Sequence, residues 1–229
     1  MRKVVVAVVL CAGCTAANPR TISCPVVPQL SLPEVQAQID EYIDSGRYES
    51  EFAAVVAGAG AWLEERAPVA NRPAIVLDID ETSLSNWPAY HVNGWSRIVG
   101  GSCDLQQGPC GIHAWQAMGS SAALQPTLAL VNRARKLDVA VFFISARSSE
   151  IREATERNLH EQGYVWDGVV LMPAGMRVDH ASAFKAPERR RLADSGYTII
   201  LNMGDQQSDL EGGYAERTFK LPNPVYVLP

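Results

Sequence analysis

Four stretches of this chain are apolar at nearly every position: "AIVLDI" at 74–79, "VAVFFISA" at 139–146, "GVVLM" at 168–172 and "YTIILNMGD" at 197–205. A strand with one wet face alternates apolar and polar residues, whereas a strand without alternation is covered on both faces. The segments between them have helical character: "PTLALVNRARK" at 126–136, "SEIREATERNLHEQGY" at 149–164 and "KAPERRRLADSG" at 185–196. Strand and helix in repetition predict an α/β fold, a Rossmann-like parallel sheet with helices on both faces. In such sheets ligands gather beyond the carboxyl ends of the strands, near a point where the strand order reverses.

Upstream of this pattern two helices are predicted. In "SLPEVQAQIDEYI", Ser31 suits a cap, Pro33 the first turn, and Val35, Ile39, Tyr42 and Ile43 share a face. After Gly46, the residues Phe52, Val55, Val56, Ala59, Trp62 and Leu63 form a second apolar stripe that must pack on something. With 229 residues, 47% of them hydrophobic, the chain can bury one good core and carry a small subdomain. Its formal net charge is −5, and no run of Lys or Arg suggests a nucleic-acid polymer as partner.

The first residues, "MRKVVVAVVLCAGCTAA", have a basic start, a short apolar run and then small residues. The run is too short to cross a bilayer of about 30 Å, and residues 1–17 read as an export signal. "Ala12-Gly13-Cys14" resembles a bacterial lipobox, which would lipidate Cys14, although Cys11 stands where that box usually has Leu. Ordinary cleavage among Thr15, Ala16 and Ala17 is the other reading. Residues 18–30 are a Pro-punctuated linker expected to be extended. Beyond them, 31–229 form the main domain, with a helical segment at 31–70 and an insertion at about 84–124. In an exported protein, Cys103 and Cys110, which flank a short loop of turn residues, suit a disulfide. Metal binding by these two thiols is the weaker reading, because no partner Cys or His pair accompanies them. Cys24 is left over.

The strand ends collect charge. "AIVLDIDETSLSN" places Asp78, Asp80 and Glu81 together, where like charges raise one another's pKa and destabilise the fold unless a cation joins them. A divalent metal would serve. "VFFIS" brings Ser145, followed by Arg147, to the end of a second strand, and "TIILNMGDQQSDL" brings Asp205 and Asp209 to another. Lys185 opens the basic helix between them. Each residue alone has an ordinary reading as a cap or a solvated charge, but the ordered set is hard to obtain by chance.

"Asp78-Ile-Asp80-Glu-Thr82", then Ser145, Lys185 and "Gly204-Asp205-Gln-Gln-Ser-Asp209" resemble the ordered motifs of the haloacid-dehalogenase superfamily. The finer resemblance is to its class B acid phosphatase branch, which includes plant vegetative storage protein relatives and bacterial lipoprotein acid phosphatases. It extends over "IDEYIDSGRYESEF", "AWLEERA", "FKAPERRRL" and "RTFKLPNPVYVLP". The resemblance implies an exported Mg²⁺-dependent phosphomonoesterase, periplasmic or outer-membrane, acting on small phosphorylated substrates that include 5′-nucleotides. Asp78 would be the nucleophile and Asp80 the general acid and base. Thr82 would hold the loop, Ser145 would bind a phosphoryl oxygen, and Lys185 would offset charge. Mg²⁺ would be held by Asp78, the backbone carbonyl of Asp80 and Asp205, with Asp209 acting through water or orienting Lys185. A low-turnover binding or storage protein on the same fold is the alternative, and retention of Asp78 weighs against it.

The insertion is the natural cover of such a site. It carries Trp87, Tyr90, His91, Trp95 and Trp115. Trp87 and Tyr90 are the first choices to meet a substrate ring, with the core of the insertion as the competing role. Arg147 is expected either on the substrate phosphate or in an ion pair with a nearby acid. His91, His113, His160 and His180 show no metal-ligand spacing and are expected to be structural or solvent-facing.

Overall fold

A computed structural model of the chain describes residues 15–18, 21–23, 30–176 and 178–228. The chain divides into two units, Met1–Ala37 and Gln38–Pro229. In the first, strands β1 (Thr15–Asn18) and β2 (Thr21–Ser23) pair antiparallel. Part of the segment expected as a linker is therefore extended but paired. The apolar run of the export signal, Cys14 and Cys24 lie outside the described residues.

Helix α1 (Leu32–Asp44) begins where Ser31 and Glu34 meet, the Ser31 amide and hydroxyl both donating to the Glu34 carboxylate at 2.7 Å. Of its predicted apolar face, Ile39, Tyr42 and Ile43 are half-buried, while Val35 is exposed. Helix α2 (Arg47–Arg66) follows a turn at Gly46, whose φ of 73° suits a residue without a side chain. It buries Phe52, Val56, Ala59 and Leu63 in the main core, and the Trp62 indole donates to the Ile200 carbonyl at 2.7 Å. The predicted stripe is thus a packing face, in which each large side chain contributes about 1.5–3 kcal/mol of burial.

Strand β3 (Pro73–Leu77) enters the centre of a five-stranded sheet. Short strands β4 (Leu84–Ser85) and β5 (Ala122–Ala123) pair antiparallel at the base of the predicted insertion, and α3 (Trp87–Val92) and α4 (Ile112–Met118) lie between them. The insertion has its own core of Ala89, Tyr90, Trp95, Cys110, Ile112 and Trp115, and Cys103 and Cys110 form a disulfide. Helix α5 (Gln125–Lys136) returns the chain to β6 (Ala140–Ser148), then come α6 (Arg152–Glu161), β7 (Gly168–Met172), α7 (Ser182–Asp194) and β8 (Thr198–Gly204). A short turn of helix α8 (Gln207–Leu210) and β9 (Thr218–Lys220) complete the fold.

The strand order is β7-β6-β3-β8-β9, and every neighbouring pair in this sheet is parallel. From β3 the chain builds outward through β6 and β7, then crosses back to β8 on the other side of β3. The carboxyl end of β3 is therefore the reversal point at which such sheets bind ligands. Two details differ from expectation. Strand β6 runs beyond Ala146, with an irregularity against β7 between Ser145 and Ser148, and α7 begins at Ser182, one turn before Lys185.

Candidate active site

Immediately after β3 the backbone folds into a tight loop. The Asp78 amide donates to the Met203 carbonyl of β8, which continues the sheet by one bond. The amides of Ser83 and Leu84 then both point back at the Ile79 carbonyl, at 2.9 and 2.8 Å, and the Ser83 hydroxyl donates to the Asp78 carbonyl at 2.7 Å. Glu81 takes φ 50°, a left-handed conformation uncommon outside glycine and concentrated at functional sites. The loop turns Asp78 and Asp80 to the same end of the sheet.

Lys185 reaches this end from α7, almost wholly buried. Its ammonium donates to Asp78 Oδ1 and, at 2.6 Å, to Asp209 Oδ1. One turn further on, Arg189 holds the backbone around α8 by donating to the carbonyls of Asp209, Glu211 and Gly213. Gly204 has to be glycine, since a Cβ there would stand 2.4 Å from Asp209 Oδ2. Asp209 Oδ2 also accepts from the Gln206 amide at 2.8 Å, closing a capping box at the start of α8.

The carboxylates of Asp78, Asp205 and Asp209 can each turn one oxygen to within 4.8 Å of the others. Burial raises the Asp78 carboxyl well above the usual range; Lys185 opposes this, while Asp209, Asp205 and Asp80 add to it. Burial, Asp209 and Glu81 push Asp205 up to about 7. Asp205 accepts hydrogen bonds from Thr82, Gln206 and Asn223 but forms no ion pair among the described residues. A buried acidic set of this kind, made of hard oxygen donors and short of positive charge, fits a divalent cation of the Mg²⁺ type.

Asp80 faces the other way. Its carboxylate accepts a forked pair of bonds from Arg147, Nη2–Oδ1 at 2.8 Å and Nε–Oδ2 at 3.2 Å, with Asn86 and Gln116 adding bonds to Oδ1 at 2.6 and 3.1 Å. Burial alone would raise this group, but Arg147 and these donors hold it below the usual carboxylate range. Arg147 lies within the irregular stretch of β6, between Ser145 and Ser148. Glu81 lies beneath the loop, pushed up to about 7 by burial and by Asp80, and accepts from Asn86, Tyr90 and Tyr226.

Asp78, Asp80, Ser145, Lys185, Arg147, Asp205, Asp209 and Tyr90 all line one cavity at this end of the sheet. Thr82 holds the loop as expected, its hydroxyl bonded to Asp205 Oδ1 at 3.3 Å and its carbonyl accepting from Thr127. Asp80, named with the metal ligands for its backbone carbonyl, has its side chain outside the carboxylate cluster. One expectation needs correction and two gain detail. Trp87 does not line the cavity; its ring packs on Tyr48 at 4.4 Å and Trp95 at 5.7 Å, in the core shared by α2 and the insertion. Tyr90 lines the cavity but is 1% exposed, with its hydroxyl bonded to Glu81. His113 is exposed, as expected of the histidines, and also lines the cavity. Sequence reasoning also passed over Gln116, Asn223 and Tyr226. No spacing marked them as site residues, because each reaches the site through tertiary contacts from the insertion or from the segment after β9.

The sequence profile of the family described as HAD superfamily, subfamily IIIB (acid phosphatase) matches residues 15–229. The stem 28 kDa glycoprotein of Glycine max is 33% identical over 192 residues, covering 82% of this chain and 72% of the relative. Acid phosphatase 1 of Solanum lycopersicum is 30% identical over 205 residues, covering 88% and 78%. Among solved structures, the class C acid phosphatase from Bacillus anthracis superposes with a TM-score of 0.67 at 21% identity, over 86% of this chain and 87% of that one, a likeness of fold.

Proposed function

The chain belongs to subfamily IIIB of the haloacid-dehalogenase superfamily, the acid phosphatases, and from that premise we propose an exported, Mg²⁺-dependent enzyme working through an aspartyl-phosphate on Asp78. Phosphate monoesters of small molecules are its substrates, and hydrolysis is its reaction. The observation that carries the mechanism is the buried Lys185 bridging Asp78 and Asp209 in front of a cavity also lined by Ser145 and Asp80.

An Asp78 carboxylate oxygen attacks phosphorus while the bond to the ester oxygen breaks. Asp80 gives its proton to the departing oxygen, then takes one from the water that attacks the acyl phosphate, releasing inorganic phosphate and restoring Asp78. Lys185 favours the charged form of Asp78 against its burial and balances charge on the phosphoryl group, and Ser145 binds one of its oxygens. Asp78, Asp205 and the Asp80 carbonyl would hold the metal, with Asp209 behind them. Bound there, it would neutralise the crowded carboxylates and the phosphate together. Asp80 rests as a carboxylate paired with Arg147. The incoming phosphate, by placing negative charge beside it, raises its affinity for the proton it must deliver.

Export is proposed from residues 1–17, with Cys14 lipidated and the protein periplasmic or anchored to the outer membrane; simple secretion is the alternative. The Cys103–Cys110 disulfide supports an oxidising compartment. The mass of the mature chain, with and without a lipid on Cys14, decides between the two. Retention of Asp78, Asp80, Ser145 and Lys185 in one cavity weighs against a storage role. Phosphate release by the mature protein is the test, from a panel including p-nitrophenyl phosphate and 5′-nucleotides, with Mg²⁺ or with EDTA. Metal-dependent turnover is expected. A folded, metal-loaded protein that turns over no ester would overturn the proposal in favour of storage.

A further inference from the structure

Asn86 stands at the N-cap position of α3, where an asparagine oxygen ordinarily accepts from the first amides of the helix. Its side chain makes no such bond. The Trp87 amide turns instead to the Ser85 hydroxyl at 3.3 Å, and the Asn86 side chain, wholly buried, reaches into the active-site loop. The group that would cap the helix is used elsewhere.

Every hydrogen-bonding position of that side-chain amide is filled. Nδ2 donates to Asp80 Oδ1 at 2.6 Å and to Glu81 Oε2 at 3.2 Å. Oδ1 accepts from the Trp115 indole at 3.0 Å and from the Ser121 hydroxyl at 3.1 Å. Carboxylates only accept and an indole N–H only donates, so these partners fix which end of the amide faces Asp80. The two donors are themselves held. Trp115 is buried in the core of the insertion, and the Ser121 backbone exchanges bonds of 3.0 and 2.7 Å with the Asn158 side chain of α6. Gln116, next to Trp115 on α4, donates to the same Asp80 oxygen at 3.1 Å.

Asp80 Oδ1 thus collects Asn86, Gln116 and Arg147, whereas Oδ2 accepts from Arg147 Nε alone among the described residues, at 3.2 Å. An oxygen surrounded by donors has no lone pair left for an incoming proton. Taking the phosphatase reading as given, we infer that Asn86 is a positioning residue for proton transfer. Oriented by Trp115 and Ser121, it pins Asp80 Oδ1 and leaves Oδ2 to exchange the proton. As the bond from phosphorus to the ester oxygen breaks, the Oδ2 proton passes to the electron pair left on that oxygen. The attacking water later returns a proton to Oδ2. Through α4, the insertion sets the direction in which the acid delivers.

The test measures kcat/KM, which reports expulsion of the leaving group, for glycerol 2-phosphate and p-nitrophenyl phosphate. It compares wild type with Asn86→Ala and Trp115→Phe. p-Nitrophenolate leaves without a proton, so only the glycerol ester needs Asp80 to be aimed. Asn86→Ala should lose about 10²-fold on glycerol 2-phosphate, the cost of a misplaced group, and at least about tenfold less on p-nitrophenyl phosphate. Trp115→Phe keeps a ring in the core and removes the indole N–H. It should show the same selectivity, with a loss of about tenfold on the glycerol ester. A merely structural role would disturb Asp78 and Lys185 as well and slow both esters equally. Equal losses, or none, in a folded Asn86→Ala would overturn the inference while leaving the phosphatase standing. Should Asn86→Ala not fold, Trp115→Phe decides alone: a selective loss supports the inference, and an unselective loss or none overturns it. No turnover of either ester by metal-loaded wild type would overturn the phosphatase reading and the inference with it.

Discussion

Asp78 and Asp80 lie two residues apart on one loop, both largely withdrawn from water, yet the protein treats them oppositely. Burial and a crowd of acids push Asp78 up, with Lys185 as its one counterweight, while Arg147, Asn86 and Gln116 hold Asp80 down. The difference comes from direction. Asp78 points toward β8 and α7, where Asp205 and Asp209 already stand, and Asp80 points toward the insertion and the irregular end of β6. A single loop thereby gives one carboxylate a metal and phosphate environment, and the other a proton-transfer environment bordering the leaving group.

The contrast is most sharply tested at Asp78. Asp78→Asn should lower turnover by on the order of 10⁴-fold or more, because no neighbouring group replaces the nucleophile. The same change should raise Tm in EDTA. A carboxyl whose folded pKa is raised loses stability as pH climbs from its ordinary unfolded value to the raised one and carries the full cost above it, and a neutral amide removes the cost. Calorimetry in EDTA and steady-state assays with metal separate the two effects.

Lys185→Met should follow, lowering turnover by about 10²–10³-fold, and it should destabilise the metal-free protein because Asp78 and Asp209 lose their shared cation. Chemical denaturation with and without Mg²⁺ checks this, and the metal should restore part of the loss. Asp80→Asn should depend on the leaving group. In kcat/KM, which reports the step that expels the leaving group, alkyl phosphates should fall by about 10²–10³-fold and p-nitrophenyl phosphate much less, since its leaving oxygen needs no proton. Equal losses in kcat/KM on both would mean that Asp80 is not the acid.

A smaller effect is expected at Arg147→Gln. Without the guanidinium, the Asp80 pKa rises, so the fraction protonated at a given pH increases and the alkaline limb of kcat moves to higher pH. Smallest of all is Asn223→Ala. Asn223 donates to Asp205 Oδ2 at 2.7 Å, while its own Oδ1 accepts from the Val225 and Tyr226 amides. Its loss should raise the Mg²⁺ concentration for half-maximal activity by about tenfold, and calorimetric titration of the metal gives a readout independent of turnover.

The same two-sidedness explains what the sequence revealed. The strands were legible because burial on both faces removes polar residues from them, and the site residues were legible because they fall at strand ends in a fixed order. Lys185 was found although it is buried inside a helix that began earlier than expected. What stayed hidden depends on three-dimensional proximity. The irregularity in β6 that contains Arg147 has no residue signature. Asn223 and Tyr226 lie in "RTFKLPNPVYVLP", which carries the family resemblance but gives no sign that these side chains reach the site. Trp87 misled because closeness in sequence to Asp80 suggested closeness to substrate, whereas α3 turns its ring onto Tyr48 and Trp95.

Acid quenching during turnover of a monoester, followed by peptide mass mapping, tests the central claim most directly, and the Asp80→Asn variant extends the lifetime of any intermediate. The account predicts a hydroxylamine-sensitive phosphoryl group on the peptide containing Asp78, absent from Asp78→Asn. A phosphoryl group on a different residue, or turnover of Asp78→Asn at the wild-type rate, would contradict it.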